Sequence, residues 1–273
     1  MNLADPQTIV LIMALIGAGV LAGYTSGLFG IGGGVVLVPA FVTILPYFKT
    51  AEHVQMHMAV GTCLALIVPG AILAARKQYQ MGKLDVGLLR FWIQAVLVGV
   101  VAGVILIKFV STDELKIFFA AYLGVAALYA IFRKATPPGE ECLPKKIVMR
   151  IVGFIVGSVS VLLGIGGGTI TVPFFKFSHY PLKKAIALST ATSLFIGFGG
   201  AVGTIIDGWG VFGRTPYSFG FVSLPGFILI TPLMMIFAPL GVRTANAIPE
   251  PTLRKIYAGF LTLMTGYMVF KIV

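Results

Sequence analysis

A glycine-rich motif occurs twice in this chain, each time inside an otherwise apolar stretch. The run from Gly30 to Gly34 precedes a Val-Pro pair, and the run from Gly164 to Gly168 precedes another pair at the same spacing. Aligning residues 19–41 with 153–175 gives 12 identities in 23 positions, which indicates an internal repeat. Because glycine weakens a helix and carries no side chain, each copy predicts a helix that breaks and leaves backbone N–H groups free.

The apolar character of the whole chain places these breaks in a membrane. Of 273 residues, 58% are hydrophobic and only 11% are charged, against about 25% charged residues in an average soluble domain. The net charge of +11 comes from Lys and Arg in short loops between apolar runs, where the positive-inside bias puts them. A basic face on a soluble domain is not available, so we expect no nucleic acid among the partners.

The spacing of apolar runs predicts ten helical segments, five in each half of the chain. They are 7–29, 34–47, 54–75, 86–109, 114–133, 147–163, 168–178, 182–206, 217–242 and 252–272. The fold class is therefore an all-α polytopic membrane protein, built from two five-segment inverted repeats with short broken or re-entrant helices after the glycine motifs. We divide it into a first transmembrane repeat (1–134), a cytoplasmic basic linker (135–150) and a second transmembrane repeat (151–273).

The basic residues give the predicted orientation. With the N-terminus outside, 15 of the 20 Lys and Arg residues fall in inside loops and 5 fall outside. This bias supports the inverted repeat, with both termini outside and the linker in the cytoplasm.

Broken helices are a known way of binding an anion within a membrane protein. In transporters built from inverted repeats, the N-termini of half-helices direct free N–H groups and the positive end of the helix dipole at an anionic group. The candidate residues are Gly30, Gly32, Gly33, Gly34, Gly164, Gly166, Gly167, Gly168 and Thr169. The alternative is that these glycines only form tight turns between helices. If they bind an anion, alanine at Gly33 or Gly167 is expected to weaken binding while stability holds or rises.

A second matching element follows each short segment. Ala59 to Thr62 aligns with Ala187 to Thr190, so Thr62 and Thr190 could face one site, together with Cys63 and Ser193. The competing interpretation is that these hydroxyls only bond the carbonyls of their own helices. His57, one turn before Gly61, is either a proton-responsive group or an interface residue.

Several classes of function lack the residues that they need. All nine acidic residues fall at or beyond the predicted span ends, whereas proton relays and many cation sites need an intramembrane carboxylate. A catalytic triad, a metal cluster and a nucleotide loop are also missing from the sequence, so we expect no enzyme and no cofactor. Cys63 and Cys142 are not expected to form a disulfide.

The paired motifs resemble those of the TauE/SafE sulfite exporter family, also called the toluene sulfonate uptake permease family. The resemblance rests on one G-x-G-G-G-x-x-x-V-P motif per half and covers nearly the whole chain. It implies a small anionic substrate, such as sulfite, a sulfonate, sulfoacetate, a thiol acid or a related carboxylate, and a prokaryotic inner membrane. The first copy has Val35 at the position that Thr169 occupies in the second copy, so we expect the two half-sites to contribute unequally.

We therefore expect a secondary transporter that works by alternating access within a lipid bilayer. Two alternatives stay open, a passive anion channel on the same scaffold and a membrane scaffold that transports nothing. The direction of transport, the coupling ion and the existence of a homodimer are also left open by the sequence.

Overall fold

Apolar segments of the predicted length fold into helices throughout the part of the chain that the computed structural model describes, residues 6–132 and 143–272. The first half contains α1 (Pro6–Phe29), α2 (Gly34–Ile44) with a following 3-10 turn (Leu45–Phe48), α3 (Glu52–Gln80), α4 (Val86–Ile107) and α5 (Thr112–Phe132). The second half contains α6 (Lys146–Leu163), α7 (Gly168–Phe177), α8 (Leu182–Asp207), β1 (Ser218–Phe219), β2 (Val222–Ser223), α9 (Leu224–Ala247) and α10 (Glu250–Ile272).

The predicted all-α polytopic membrane fold is confirmed. Within the described residues, seven helices are long and apolar enough to cross a membrane, namely α1, α3, α4, α5, α6, α8 and α9. Large apolar side chains such as Phe109, Phe132 and Ile228 are exposed on the outside of the molecule. Such a surface is suited to contact with lipid rather than with water.

Both predicted breaks are present, and at each one the chain folds back on itself. Gly33 and Gly167 precede α2 and α7 with φ of 78° and 75°, a conformation that glycine adopts without strain. A Cβ added at Gly33 would lie 2.9 Å from the carbonyl oxygen of Ala22, two turns back in α1. With 11 and 10 residues, α2 and α7 are each about 15 Å long, half the thickness of a bilayer core.

The two halves interlock through equivalent helices. Helix α1 packs on α9, and its counterpart α6 packs on α4; likewise α3 packs on α8 and α5 on α10. Small residues allow these contacts: a Cβ on Gly27 would overlap the carbonyl oxygen of Ala238, and one on Gly99 would overlap that of Phe154. At these positions the helix-interior glycines therefore serve close packing. The matched partners support the internal repeat, while its inverted orientation in a membrane stays a prediction.

Helix ends gather at two opposite faces of the bundle. At the first, which we call the hairpin face, the start of α3 meets the start of α5, where Thr112 Oγ1 donates to the carbonyl oxygen of His53 (2.6 Å). The ends of α4 and α8 and the β1–β2 hairpin also lie there. At the second, the linker face, Lys183 Nζ at the start of α8 donates to the carbonyl oxygen of Asn246 at the end of α9 (2.7 Å).

Two of the predicted segments have wrong boundaries. The segment predicted as helix from 217 begins instead with the hairpin, and α9 starts at Leu224 and runs on to Ala247. Helix α3 continues to Gln80, beyond the predicted end at 75. Part of the predicted linker, including Cys142, lies outside the described residues, so the division into 1–134, 135–150 and 151–273 stays a prediction.

Candidate functional site

The two glycine breaks touch each other near the middle of the bundle. A Cβ added at Gly32 would lie 2.7 Å from the Cα of Gly166, and the Gly166 N–H donates to the carbonyl oxygen of Ile31 (2.9 Å). A Cβ on Gly34 would overlap the carbonyl oxygen of Gly164, and one on Gly168 would overlap that of Gly30. Only glycine permits backbones to approach this closely, so the motif is required by this contact.

Two serines on α8 hold the breaks together. Ser189 Oγ donates to the carbonyl oxygen of Gly30 (2.7 Å), and Ser193 Oγ bonds to the carbonyl oxygen of Gly166 and lies 3.3 Å from that of Gly30. Both serines are buried. Ser193 therefore links one break to the other, and its donor is already used in this arrangement.

Four backbone donors at the starts of the short helices remain unpaired. The N–H groups of Gly34 and Val35 in α2 and of Gly168 and Thr169 in α7 have no acceptor among residues 6–132 and 143–272. All four residues are buried. Two helix N-termini, each equivalent to roughly half a positive charge, therefore meet in the interior without an anionic partner among the described residues.

Two buried hydroxyls accompany these donors. Ser160 Oγ on α6 and Thr171 Oγ1 in the first turn of α7 are fully buried and have no hydrogen-bond partner within the described part of the chain. Ser160 Oγ lies 3.1 Å from the position of a Cβ on Gly167, the residue that precedes α7. Buried hydroxyls are normally paired, so these two are candidates for contact with a ligand.

The structure brings together most, but not all, of the residues that the sequence nominated. Gly30, Gly32, Gly33 and Gly34 meet Gly164, Gly166, Gly167 and Gly168, and Thr190 and Ser193 lie beside Gly30 or Gly166. Thr190 Oγ1 donates to the carbonyl oxygen of Ile186 in its own helix (2.8 Å).

Thr62 is engaged elsewhere. Its Oγ1 donates to the carbonyl oxygen of Met58 (2.6 Å) and accepts the N–H of Ser223 from the hairpin (2.9 Å). The adjacent Cys63 is fully buried and has a free thiol. Their assignment to the substrate site stays a prediction.

Thr169 points its hydroxyl away from the opposite break. Its Oγ1 is hydrogen-bonded to the hydroxyl of Tyr122 on α5. The two residues line an apolar groove of about 400 Å³ between α5, α6 and α7, together with Tyr129, Ile155, Phe174 and Phe177. The backbone N–H of Thr169, rather than its hydroxyl, therefore belongs to the unpaired donors.

Ser160 and Ser189 were not among the predicted site residues. The repeat alignment already contained a signal for Ser160, because it is identical with Ser26 at the equivalent position. Ser189 aligns with Gly61, so an argument based on identities between the halves could not find it.

Comparison with known proteins gives a uniform result. The family model described as "Sulfite exporter TauE/SafE" matches residues 15–268. A probable membrane transporter protein of Haemophilus influenzae is 32% identical over 267 residues, which cover 97% of this chain and 99% of that protein. Another from Methanocaldococcus jannaschii is 25% identical over 273 residues, covering 96% and 97% of the two chains. No solved structure matches the chain significantly.

Proposed function

Because the chain belongs to the sulfite exporter TauE/SafE family and is a membrane transporter, we propose that it is a secondary transporter for a small organosulfur anion. Sulfite, a sulfonate, sulfoacetate or a thiol acid fits this description, and a related small carboxylate shares its charge. We place the protein in the inner membrane and infer that it works by alternating access.

The observation that carries the proposal is the set of unused donors where the two breaks meet. The N–H groups at the starts of α2 and α7, with Ser160 Oγ and Thr171 Oγ1, are buried donors without acceptors in the described part of the chain. Sulfite and sulfonates offer three acceptor oxygens around a negative charge, and helix N-termini favour such a group. An anion would therefore satisfy donors that have no acceptor in the part of the chain that the structure describes.

The contact between the breaks favours a transporter over a passive channel. Gly32 and Gly166 touch directly, and the four donors are buried, so an anion reaches them only when the two breaks separate. The breaks belong to different halves, and relative movement of two repeats is the general form of alternating access. A passive channel predicts flux without counterflow, whereas the proposed carrier predicts saturable flux that accelerates when unlabelled substrate is present on the opposite side.

Removing the two unpaired hydroxyls tests the site. Ser160→Ala and Thr171→Val are expected to weaken binding of sulfite or a short alkanesulfonate by roughly 10- to 100-fold each, since a hydrogen bond to a charged group contributes about 1.5–3 kcal/mol. Stability should hold, because neither hydroxyl has a partner to lose. Calorimetric titration and melting temperature are measured on the same purified variants.

Matched controls are available on the same or a neighbouring helix. Ser158 Oγ donates to the carbonyl oxygens of Gly99 and Phe154 (both 3.0 Å), and Thr192 Oγ1 donates to that of Leu188 (2.8 Å). Ser158→Ala and Thr192→Val are expected to lower stability more than affinity. Unchanged affinity in both Ser160→Ala and Thr171→Val would contradict an anion site at this position.

A further inference from the structure

A second polar cluster, partly buried, joins the two halves at the hairpin face. His57 lies in the second turn of α3, Asp207 is the last residue of α8, and Lys108 directly follows α4. Lys108 Nζ is 2.7 Å from Asp207 Oδ1, and the Asp207 side chain is 4% exposed while that of Lys108 is 50% exposed. The ring of Phe221, from the hairpin, lies 5.4 Å from the imidazole of His57. A carboxylate that the sequence placed at a span end is therefore buried.

Each of the two inner groups has an acceptor atom that nothing uses. His57 Nε2 lies 3.2 Å from the carbonyl oxygen of Ile107, and because a carbonyl only accepts, Nε2 carries the hydrogen of the neutral ring. Nδ1 is then an acceptor, and both Nδ1 and Asp207 Oδ2 are buried without a hydrogen-bond partner among residues 6–132 and 143–272. Buried polar atoms are normally paired, whereas this cluster contains two acceptors that lack a donor within the described part of the chain.

A proton supplies the donor that this cluster lacks. We propose that His57 and Asp207 form a proton-binding site and that proton binding there is coupled to movement of the anion, an inference that rests on the proposed function. The lone pair of Nδ1 takes up one proton from a hydronium ion on the aqueous side, whose O–H bond breaks to leave water, and the Asp207 carboxylate, which also pairs with Lys108, stabilises the imidazolium. A metal ion needs more ligands, and the described residues contain no group of three or more His, Cys, Asp or Glu that could hold one.

The charged neighbours of His57 leave Asp207 as its anionic partner. His53 lies one turn earlier in α3. His57 and Asp207 are joined through the end of α4, because His57 bonds the carbonyl oxygen of Ile107 and the next residue, Lys108, bonds Asp207. Lys108, at the end of α4, is engaged by Asp207. Three further charged groups of this face are bonded within their own segments: Arg214 to the carbonyl oxygen of Val211, Lys116 to Asp113, and Glu114 to Ser111. Glu52 begins α3 and Lys49 shortly precedes it.

The position of the cluster explains how proton binding can affect the glycine breaks. His57 precedes Val60 by about one turn, or roughly 5 Å along the helix, and the Cα of Val60 is 3.0 Å from the position of a Cβ on Gly164. His57 and Lys108 belong to the first half, whereas Asp207 and Phe221 belong to the second. Movement of α3 against α8 therefore changes the cluster and the breaks together, and by linkage each ligand then alters the affinity for the other.

Proton binding is tested first, without any transport measurement. The chain contains three histidines, His53, His57 and His179, so imidazole NMR signals of the purified full-length protein are assigned with His57→Gln and His53→Gln. We expect the His57 signal to change from the neutral to the protonated form as the pH is lowered from 9 to 4. We also expect Asp207→Asn to reduce the protonated fraction of His57 at a given pH. A His57 signal that stays constant across this range, or that does not respond to Asp207→Asn, would overturn the site.

Coupling is tested in vesicles that contain a pH-sensitive dye, with sulfite and short alkanesulfonates as probes. The unaltered protein should move protons together with the anion, and the ratio of protons to anions should fall at least tenfold in His57→Gln but not in His53→Gln. Anion counterflow without proton movement in the unaltered protein would overturn the coupling and leave the proposed function intact. Absence of anion flux for every probe would instead overturn the proposed function, while the NMR titration still decides the proton site.

Discussion

The glycines of the motif are required for two different reasons, close backbone contact and a positive φ. Gly34 and Gly168 bring a carbonyl oxygen of the opposite break against their own Cα, whereas Gly33 and Gly167 adopt a positive φ. The expectation that alanine at Gly33 or Gly167 preserves stability is therefore corrected, because a side chain is strained in that conformation whatever space surrounds it. Hydroxyl deletions that leave the backbone unchanged are the better probes of binding.

Alanine at the contact between the breaks should destabilise the protein. In Gly34→Ala and Gly168→Ala the new methyl group would overlap backbone that cannot rotate away, and overpacking of this kind costs about 1–3 kcal/mol or more. Gly17→Ala on α1 is the matched control, since nothing lies within 4 Å of its Cβ position and alanine favours a helix by about 1 kcal/mol. Melting temperatures of the three variants decide the matter, and equal values for all three would contradict the observed contact.

Elements were predictable where hydropathy and glycine spacing alone determine them. The starts of α2 at Gly34 and of α7 at Gly168 were predicted to the residue, because a glycine run within an apolar stretch has a local effect. The hairpin was missed because Tyr217, Phe219 and Val222 give the same apolar signal as a helix. Contacts that are distant in sequence select the hairpin. The hydroxyl of Thr62 accepts the Ser223 N–H, and the carbonyl oxygen of Thr204 accepts the Phe221 N–H (3.2 Å).

The candidate site was predictable in its backbone and less so in its side chains. The internal repeat identified the two glycine runs. Their contact with each other follows if the two halves are assumed to form a pseudo-symmetric pair. Thr62 and Thr190 look equivalent in sequence, yet only Thr62 bonds the hairpin, which has no counterpart between α3 and α4 in the first half. Differences of this kind between the halves do not follow from an alignment of one half with the other.

The hairpin bond gives a test with an internal control. Thr62→Val removes the acceptor of the buried Ser223 N–H and should lower the free energy of unfolding by about 1–3 kcal/mol. Thr190→Val, at the equivalent position, removes only a bond to its own helix (Thr190 Oγ1 to the Ile186 carbonyl oxygen) and should cost less. Denaturation of both purified variants measures the difference, and a larger loss for Thr190→Val would argue against the hairpin contact as a stabilising element.

The whole molecule presents two faces with different charge. Basic residues concentrate at the linker face, where α3 and α9 end and α4, α6, α8 and α10 begin, and the hairpin face carries few. The positive-inside bias then predicts a cytoplasmic linker face and an outer hairpin face. In that orientation the proton-binding site would face outward.

Labelling of intact cells tests this orientation. A cysteine in place of Asp113, whose side chain is 78% exposed at the hairpin face, should react with a membrane-impermeant maleimide. Cys142, in the predicted linker, should react only after the cells are permeabilised. Cys63 is fully buried and gives no background. Equal labelling of Cys142 and of the Asp113→Cys variant in intact cells would contradict the predicted orientation.

The central claim is that the anion binds where the two glycine breaks meet, and locating a bound anion tests it most directly. Selenite is a close analogue of sulfite, and its selenium atom scatters anomalously, so crystals of the protein grown with selenite reveal its position. We predict an anomalous peak next to the N–H groups of Gly168 and Thr169, within reach of Ser160 Oγ and Thr171 Oγ1. A bound selenite found in another part of the molecule, with none between α2 and α7, would contradict the account.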